Sequence, residues 1–144
     1  MTTIVASRQH GEMAADTQVV VGDTSFPSKK IFTTCNGLVG AAGASVDCAK
    51  FIAWVEAGMD INDRDELSEG DAFHALLLTH DGLFFFEEDW IANKVERGFH
   101  AIGTGGGPAL AAMFCGKTPK RAVEIASKID SGTGGPVTVL HLGG

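Results

Sequence analysis

Short apolar runs closed by glycine or a polar turn dominate the first 43 residues. "TTIVASR", "QHG", "EMAAD", "TQVVVGDTSF", "PSKKIFTT", "CNG" and "LVGAAG" follow one another directly. Runs of this kind, rich in Val, Ile and Thr, read as successive antiparallel strands. The pattern then changes period. From Ser45, the residues Cys48, Phe51, Ile52 and Val55 fall at the i, i+3, i+4, i+7 spacing of an amphipathic helix, with Ser45 as the expected N-cap and Gly58 just past the end. "MDINDRDELSEGD" is acidic with no apolar stripe and reads as a solvated loop. "AFHALLLT" and "FFFEED" form a hairpin about an Asp81-Gly82 turn, and "FHAIG" is a further strand. Pro108 opens a short helix in "TGGGPALAAMFCG". A third helix starts at the Thr118 cap and Pro119, with Ala122, Ile125, Ala126 and Ile129 on its apolar face. The alternating "PVTVLHLGG" is the last strand. Strands, a helix, strands, helices and a strand give an α+β chain with two sheets between helices.

At 144 residues, with no internal repeat or linker, the chain suits a single domain spanning 1–144. Eighteen acidic against 11 basic residues leave a net charge of -7, which repels phosphate backbones and anionic lipid alike and argues against nucleic acid or a membrane as partner. The N-terminus has no basic segment leading into an apolar one, and no apolar run is long enough for a bilayer, so the cytoplasm is the expected compartment. Cys35, Cys48 and Cys115 are odd in number and widely spaced, which fits reduced, mostly buried thiols rather than a disulfide framework.

Several familiar motifs fail on inspection. "CGKT" lacks the glycine of a phosphate-binding loop, because Ala111 stands where it is required. "GTGGG" meets Pro108 at the sixth position of a dinucleotide pattern. His10, His74, His80, His100 and His141 show no metal-ligand spacing, so neither a metal nor another cofactor is expected. Ser45, in "GASVD", lacks the flanking glycines of a nucleophile elbow.

What remains is a threonine at the chain start. With Met1 removed, Thr2 would carry a hydroxyl and a free α-amine on one residue, nucleophile and base together. Taken alone, Asp16 in "MAAD" reads as a turn residue and Lys30 in "PSKKIF" as a solvated charge, with Lys29 expected to point to the opposite face of the same strand. In order and approximate spacing, however, "TTIVASRQHG", "AADTQ", "KKIF", "GAAGASVDC", "AIGTGG" and "DSGTGGPVTVLHL" resemble the proteasome β-type subunits and the HslV-like threonine peptidases over nearly the whole chain.

That resemblance implies an N-terminal nucleophile hydrolase: a four-layer αββα sandwich, assembled into a homo-oligomeric ring that cleaves peptides or unfolded protein. It makes Thr2 the nucleophile, Lys30 the active-site lysine and Asp16 the carboxylate that holds that lysine. Gly43 becomes the backbone donor to the oxyanion. Thr104 stands for the serine of a "GSG" stretch, and Asp130 with Thr133 for a D-x-x-S-G-G pattern, all three hydrogen-bonding near the new N-terminus. Val19, Val20, Phe32, Ala41, Ser45 and Ala49 become the substrate pocket; with no charge among them, the expected preference is for a neutral side chain. One departure stands out. Relatives carry a second long helix where this chain has only "MDINDRDELSEGD", so one helical layer is expected to be reduced and its apolar surface covered by a neighbour, which leaves docking of a substrate-feeding ATPase open. Two other readings share these residues: a ring or scaffold protein without catalysis, and an amidase of the same superfamily acting on small amides.

Overall fold

The structure, a computed structural model, describes residues 1–67 and 72–143. In chain order the elements are β1 (Thr3–Ser7), β2 (Glu12–Ala15), β3 (Gln18–Val21), β4 (Thr24–Pro27), β5 (Ile31–Thr34), β6 (Gly37–Ala42), α1 (Ser45–Glu56), β7 (His74–Thr79), β8 (Gly82–Phe86), β9 (Asn93–Lys94), β10 (Phe99–Gly103), α2 (Gly106–Phe114), α3 (Pro119–Ile129) and β11 (Thr138–His141). One four-stranded sheet has the order β10-β1-β2-β11, a five-stranded sheet runs β5 to β9 in sequence order, and β3 with β4 forms a separate ribbon.

The period of two along a strand sorts the side chains into layers. Ile4 and Ala6 of β1 and Met13 and Ala15 of β2 face the second sheet, where they meet Leu38, Leu76, Leu78 and Leu83. Val5 and Ala14, one residue out of step, face the other way onto Ala109, Met113, Ala122 and Val123 of α2 and α3. Likewise Val39, Ala41, Ala75 and Leu77 leave the sheet interface and meet α1. The result is helices, sheet, sheet, helix: the expected four-layer αββα sandwich. Strands buried on both faces explain why "TIVA" and "ALLL" read as unbroken apolar runs rather than alternating ones.

Among the described residues α1 is the lone helix of its layer, and the stretch from its end to β7 holds only a three-residue 3-10 turn, Ile61–Asp63. The space is filled by rings. Phe51 and Trp54 of α1 meet Phe73, Phe86 and Trp90, with Phe51 to Phe86 at 4.9 Å and Trp54 to Trp90 at 5.1 Å between centroids. Trp90 reaches this cluster from the loop after β8, with a left-handed backbone, φ 55°, and an indole N–H that finds no acceptor among the described residues. Both features cost energy, and burial of the ring to 3% exposure offsets them. Part of the apolar face that was expected to be covered by a neighbour is thus covered by the chain's own loop. Trp90→Ala should destabilise the fold by about 3–5 kcal/mol in chemical denaturation, whereas Trp90→Phe, which keeps a ring and removes the orphan N–H, should cost under about 1.5 kcal/mol.

Several local expectations are corrected. Ala44, not Ser45, occupies the N-cap of α1, without a side-chain cap bond. The buried face of α3 is Pro119, Ala122, Val123 and Ala126, rotated from the expected one so that Val123 replaces Ile125 and Ile129, which leaves Ile129 67% exposed. Thr118 does cap that helix, accepting from the Arg121 N–H at 3.3 Å. The β7–β8 turn is His80-Asp81, since Gly82 already pairs with Thr79. Cys35 and Cys115 are exposed and Cys48 is half-buried, so the thiols are free but not mostly buried. The loop after α1 is exposed as expected over Asp60–Glu66, although Met59 and Leu67 pack on the aromatic cluster; its residues 68–71 lie outside the described residues. No helix among the described residues is long and apolar enough to cross a membrane.

Candidate active site

The first residue of β1 separates the two threonines. Thr3 pairs with Gly103 and is fully buried; its N–H donates to Asp16 Oδ1 at 3.0 Å, and its Oγ1 lies 2.6 Å from that of Thr133. Thr2, one residue earlier, leaves the sheet and lines a cavity of about 430 Å³. The strand register therefore places the Thr3 hydroxyl in the core and makes Thr2 a lining residue of the cavity.

Asp16 sits just past β2, 1% exposed, with three donors making four contacts to its carboxylate: Lys30 Nζ at 3.0 and 3.1 Å, the Thr3 N–H at 3.0 Å and the Gly134 N–H at 3.2 Å. A buried charge is tolerable when paired and hydrogen-bonded in this way. The same Nζ donates to the Met1 carbonyl at 3.0 Å. Lys30 is thereby anchored on one side by a buried carboxylate and presented on the other to the peptide that joins Met1 to Thr2.

Gly43 follows β6 at φ +138°, a region that favours glycine, and a Cβ there would lie 3.1 Å from the Ala72 carbonyl oxygen. It lines the Thr2 cavity, as do all six residues expected to form the pocket: Val19 and Val20 from the β3–β4 ribbon, Phe32 from β5, Ala41 from β6, and Ser45 and Ala49 from α1. Cys48 lies among them, and burial, with Asp47 adding, pushes its thiol up to about 11, so it stays protonated and is no nucleophile at neutral pH.

Thr104, Asp130 and Thr133 do not line this cavity. They form a cluster behind Thr3, in which the Thr104 hydroxyl donates to Asp130 Oδ2 at 2.6 Å and that of Thr133 to the same oxygen at 2.7 Å. These bonds, the Thr104 one first, hold the Asp130 carboxyl below its usual range. A depressed folded value gives stability that is present above the unfolded value of about 3.9 and is lost as pH falls through the folded one. Thermal unfolding should therefore show a penalty for Asp130→Asn at pH 7 that shrinks at pH 3. The link to residue 1 is Gly132: its N–H donates to Asp130 at 3.3 Å, and a Cβ on it would come within 2.5 Å of Met1 Cβ.

Two features escaped sequence reasoning. Lys29 precedes β5 rather than lying within a strand, and instead of pointing away from Lys30 it lines the same cavity, with Nζ 5.2 Å from the centroid of the Phe32 ring. Thr3 is a fixed point of the Asp16 and Thr133 bonds, a role that nothing in "TTIVA" distinguishes from that of any β-branched strand residue. No group of His, Cys, Asp and Glu suited to a metal occurs among the described residues.

No protein-family model matches the chain, and no curated protein does. Solved structures do match. Eukaryotic HslV from Trypanosoma brucei superposes with a TM-score of 0.73 at 19% identity, covering 96% of this chain and 99% of that one. Thiobacillus denitrificans BPH in complex with epoxomicin gives 0.70 at 17% identity, covering 99% and 100%, and BPH by itself 0.69 at 18%, covering 98% of each. The resemblance to HslV-like proteins holds at the level of fold across essentially the whole chain.

Proposed function

We propose that the chain is a single-domain threonine peptidase whose nucleophile is Thr2 once Met1 has been removed. The observation that carries this reading is the pairing at the start of β1: Thr2 in the cavity, Thr3 locked in the core, and Lys30 Nζ hydrogen-bonded to the carbonyl that Met1 contributes to the Thr2 peptide bond.

Removal of Met1 leaves an α-amine beside Lys30. An α-amine titrates at about 7.7–8, and a neighbouring ammonium lowers this further, so the neutral, basic form is available at cellular pH. The amine takes the Thr2 hydroxyl proton as Oγ attacks the substrate carbonyl. Negative charge gathers on the former carbonyl oxygen, where the Gly43 N–H stabilises it. Collapse of the tetrahedral intermediate breaks the C–N bond, the amine returns the proton to the leaving group, and a threonyl ester remains for water to hydrolyse. Asp16 acts through Lys30 and is a positioning residue. Asp130, Thr104 and Thr133 hold the loop against residue 1 in the same capacity. No step calls for a cofactor.

Peptides and unfolded protein are the proposed substrates, a homo-oligomeric ring the proposed assembly and the cytoplasm the proposed compartment. Light scattering at micromolar concentration should give a multiple of the monomer mass, and a monomer overturns the ring. Because the layer beside α1 is thin, the ring is expected to work without strong stimulation by a protein-unfolding ATPase.

The direct test is intact mass. Purified chain should lack Met1 and should gain one equivalent of a peptide epoxyketone such as epoxomicin, which BPH binds, with the added mass on the N-terminal peptide. Absence of any adduct in Met1-free chain would favour a ring protein without catalysis, and turnover of small amides but not peptides would favour an amidase.

A further inference from the structure

The cavity beside Thr2 carries charge of one sign only. The chain is acidic overall, net -7, yet among the described residues the charged side chains that line this cavity are Lys29 and Lys30, with no carboxylate between them. Lys30 is matched by Asp16 at 3.0 Å. Lys29 takes part in none of the ion pairs among the described residues. Its ammonium instead stands 5.2 Å from the centroid of Phe32, and Phe32 is itself a wall of the cavity. A cation over an aromatic face is held weakly and keeps most of its donors free.

We propose that the cavity takes an acidic side chain, glutamate or aspartate, of the substrate residue whose carbonyl Thr2 attacks, with Lys29 as its counter-ion. The proposal rests on the peptidase reading above and names the substrate class of that site. Ala41, Ala49 and Ile52 offer an apolar wall for the methylenes of such a side chain, and Lys29 a charge at the exposed rim. A basic side chain would meet the Lys29 ammonium, which has no ion-pair partner among the described residues, while the one nearby carboxylate, Asp16, is already taken by Lys30. The neutral preference expected from the pocket residues alone is replaced, because Lys29 was not counted among them. Lys29 is exposed, so the pair acts in partly screened surroundings, and the preference is modest: about threefold to tenfold in kcat/KM for glutamate over glutamine. Screening makes it fall with added salt.

The test uses the full chain, confirmed by mass to begin at Thr2. Fluorogenic peptides identical except for Glu, Gln or Lys before the leaving group are compared at low and high salt, and their non-cleavable counterparts are titrated against Thr2→Ala to read binding without turnover. Expected are the order Glu, Gln, Lys, a smaller spread at high salt, loss of the Glu-over-Gln ratio in Lys29→Met, and reversal toward Lys in Lys29→Glu. Equal handling of Glu and Gln in both turnover and binding, or a ratio unchanged in Lys29→Met, overturns the assignment. Failure of the peptidase reading shows differently, as absence of an epoxyketone adduct on Met1-free chain, and the binding arm still decides the role of Lys29 in that case.

Discussion

Thr2→Ala is expected to abolish peptide hydrolysis and adduct formation, a loss of at least about 10³-fold to background, since no other described hydroxyl combines an open cavity with an adjacent α-amine. Thr3→Ala should behave differently. Its hydroxyl is buried against Thr133 at 2.6 Å, so the variant loses about 0.5–1.5 kcal/mol of stability while retaining much of its turnover. The contrast matters because the two threonines are chemically identical and adjacent, and only their placement differs. Activity should also follow the fraction of chains from which Met1 has been removed, read by intact mass on the same sample. Full hydrolysis by Thr2→Ala would put the nucleophile elsewhere.

Lys30→Met should lower kcat/KM by about 10²–10³-fold, the range for removing one preorganised electrostatic group. The structure adds a complication. Lys30 is the ion-pair partner of a carboxylate that is 1% exposed, and breaking a buried pair on one side costs about 3–5 kcal/mol, softened here by the Thr3 and Gly134 N–H groups that stay on Asp16. A slow enzyme could then be merely an unstable one. The double variant Asp16→Asn, Lys30→Met separates the two effects, because it removes both charges: stability should return toward the parent while the rate stays low. A folded double variant within about tenfold of the parent rate would assign Lys30 to structure alone.

What the sequence disclosed and what it withheld divide along physical lines. The β-branched runs and glycine turns fixed the strands because their periodicity is local. The quoted stretches led to Thr2, Lys30 and Gly43, which the structure brings to one cavity, with Asp16 behind them. The face of α3 was misjudged because Ile125 and Ile129 are as apolar as Val123, and only the sheet that α3 rests on decides which of them is buried. Trp90 was invisible as core, since it follows "FFFEED" in a loop and reaches the aromatic cluster through a left-handed turn that a tryptophan rarely adopts. Lys29 and Lys30 looked like alternating strand residues, but β5 begins at Ile31, so the alternation that would separate them never starts.

The carboxylate of Asp16 collects donors from residues 3, 30 and 134, the last of them 118 positions downstream, and the strand that leads into it, β2, is flanked by β1 and by β11. During synthesis the first 30 residues emerge long before residue 134, so for most of translation the growing chain holds Thr2, Asp16 and Lys30 but not the Gly134 donor or the strand that completes the sheet around them. The sheet closes only when the last segment arrives, a contact of long sequence separation that forms late. On the proposed reading, a truncated or half-made chain carries its reactive residues in an unfinished sheet, and the topology itself acts as the safety catch on that chemistry.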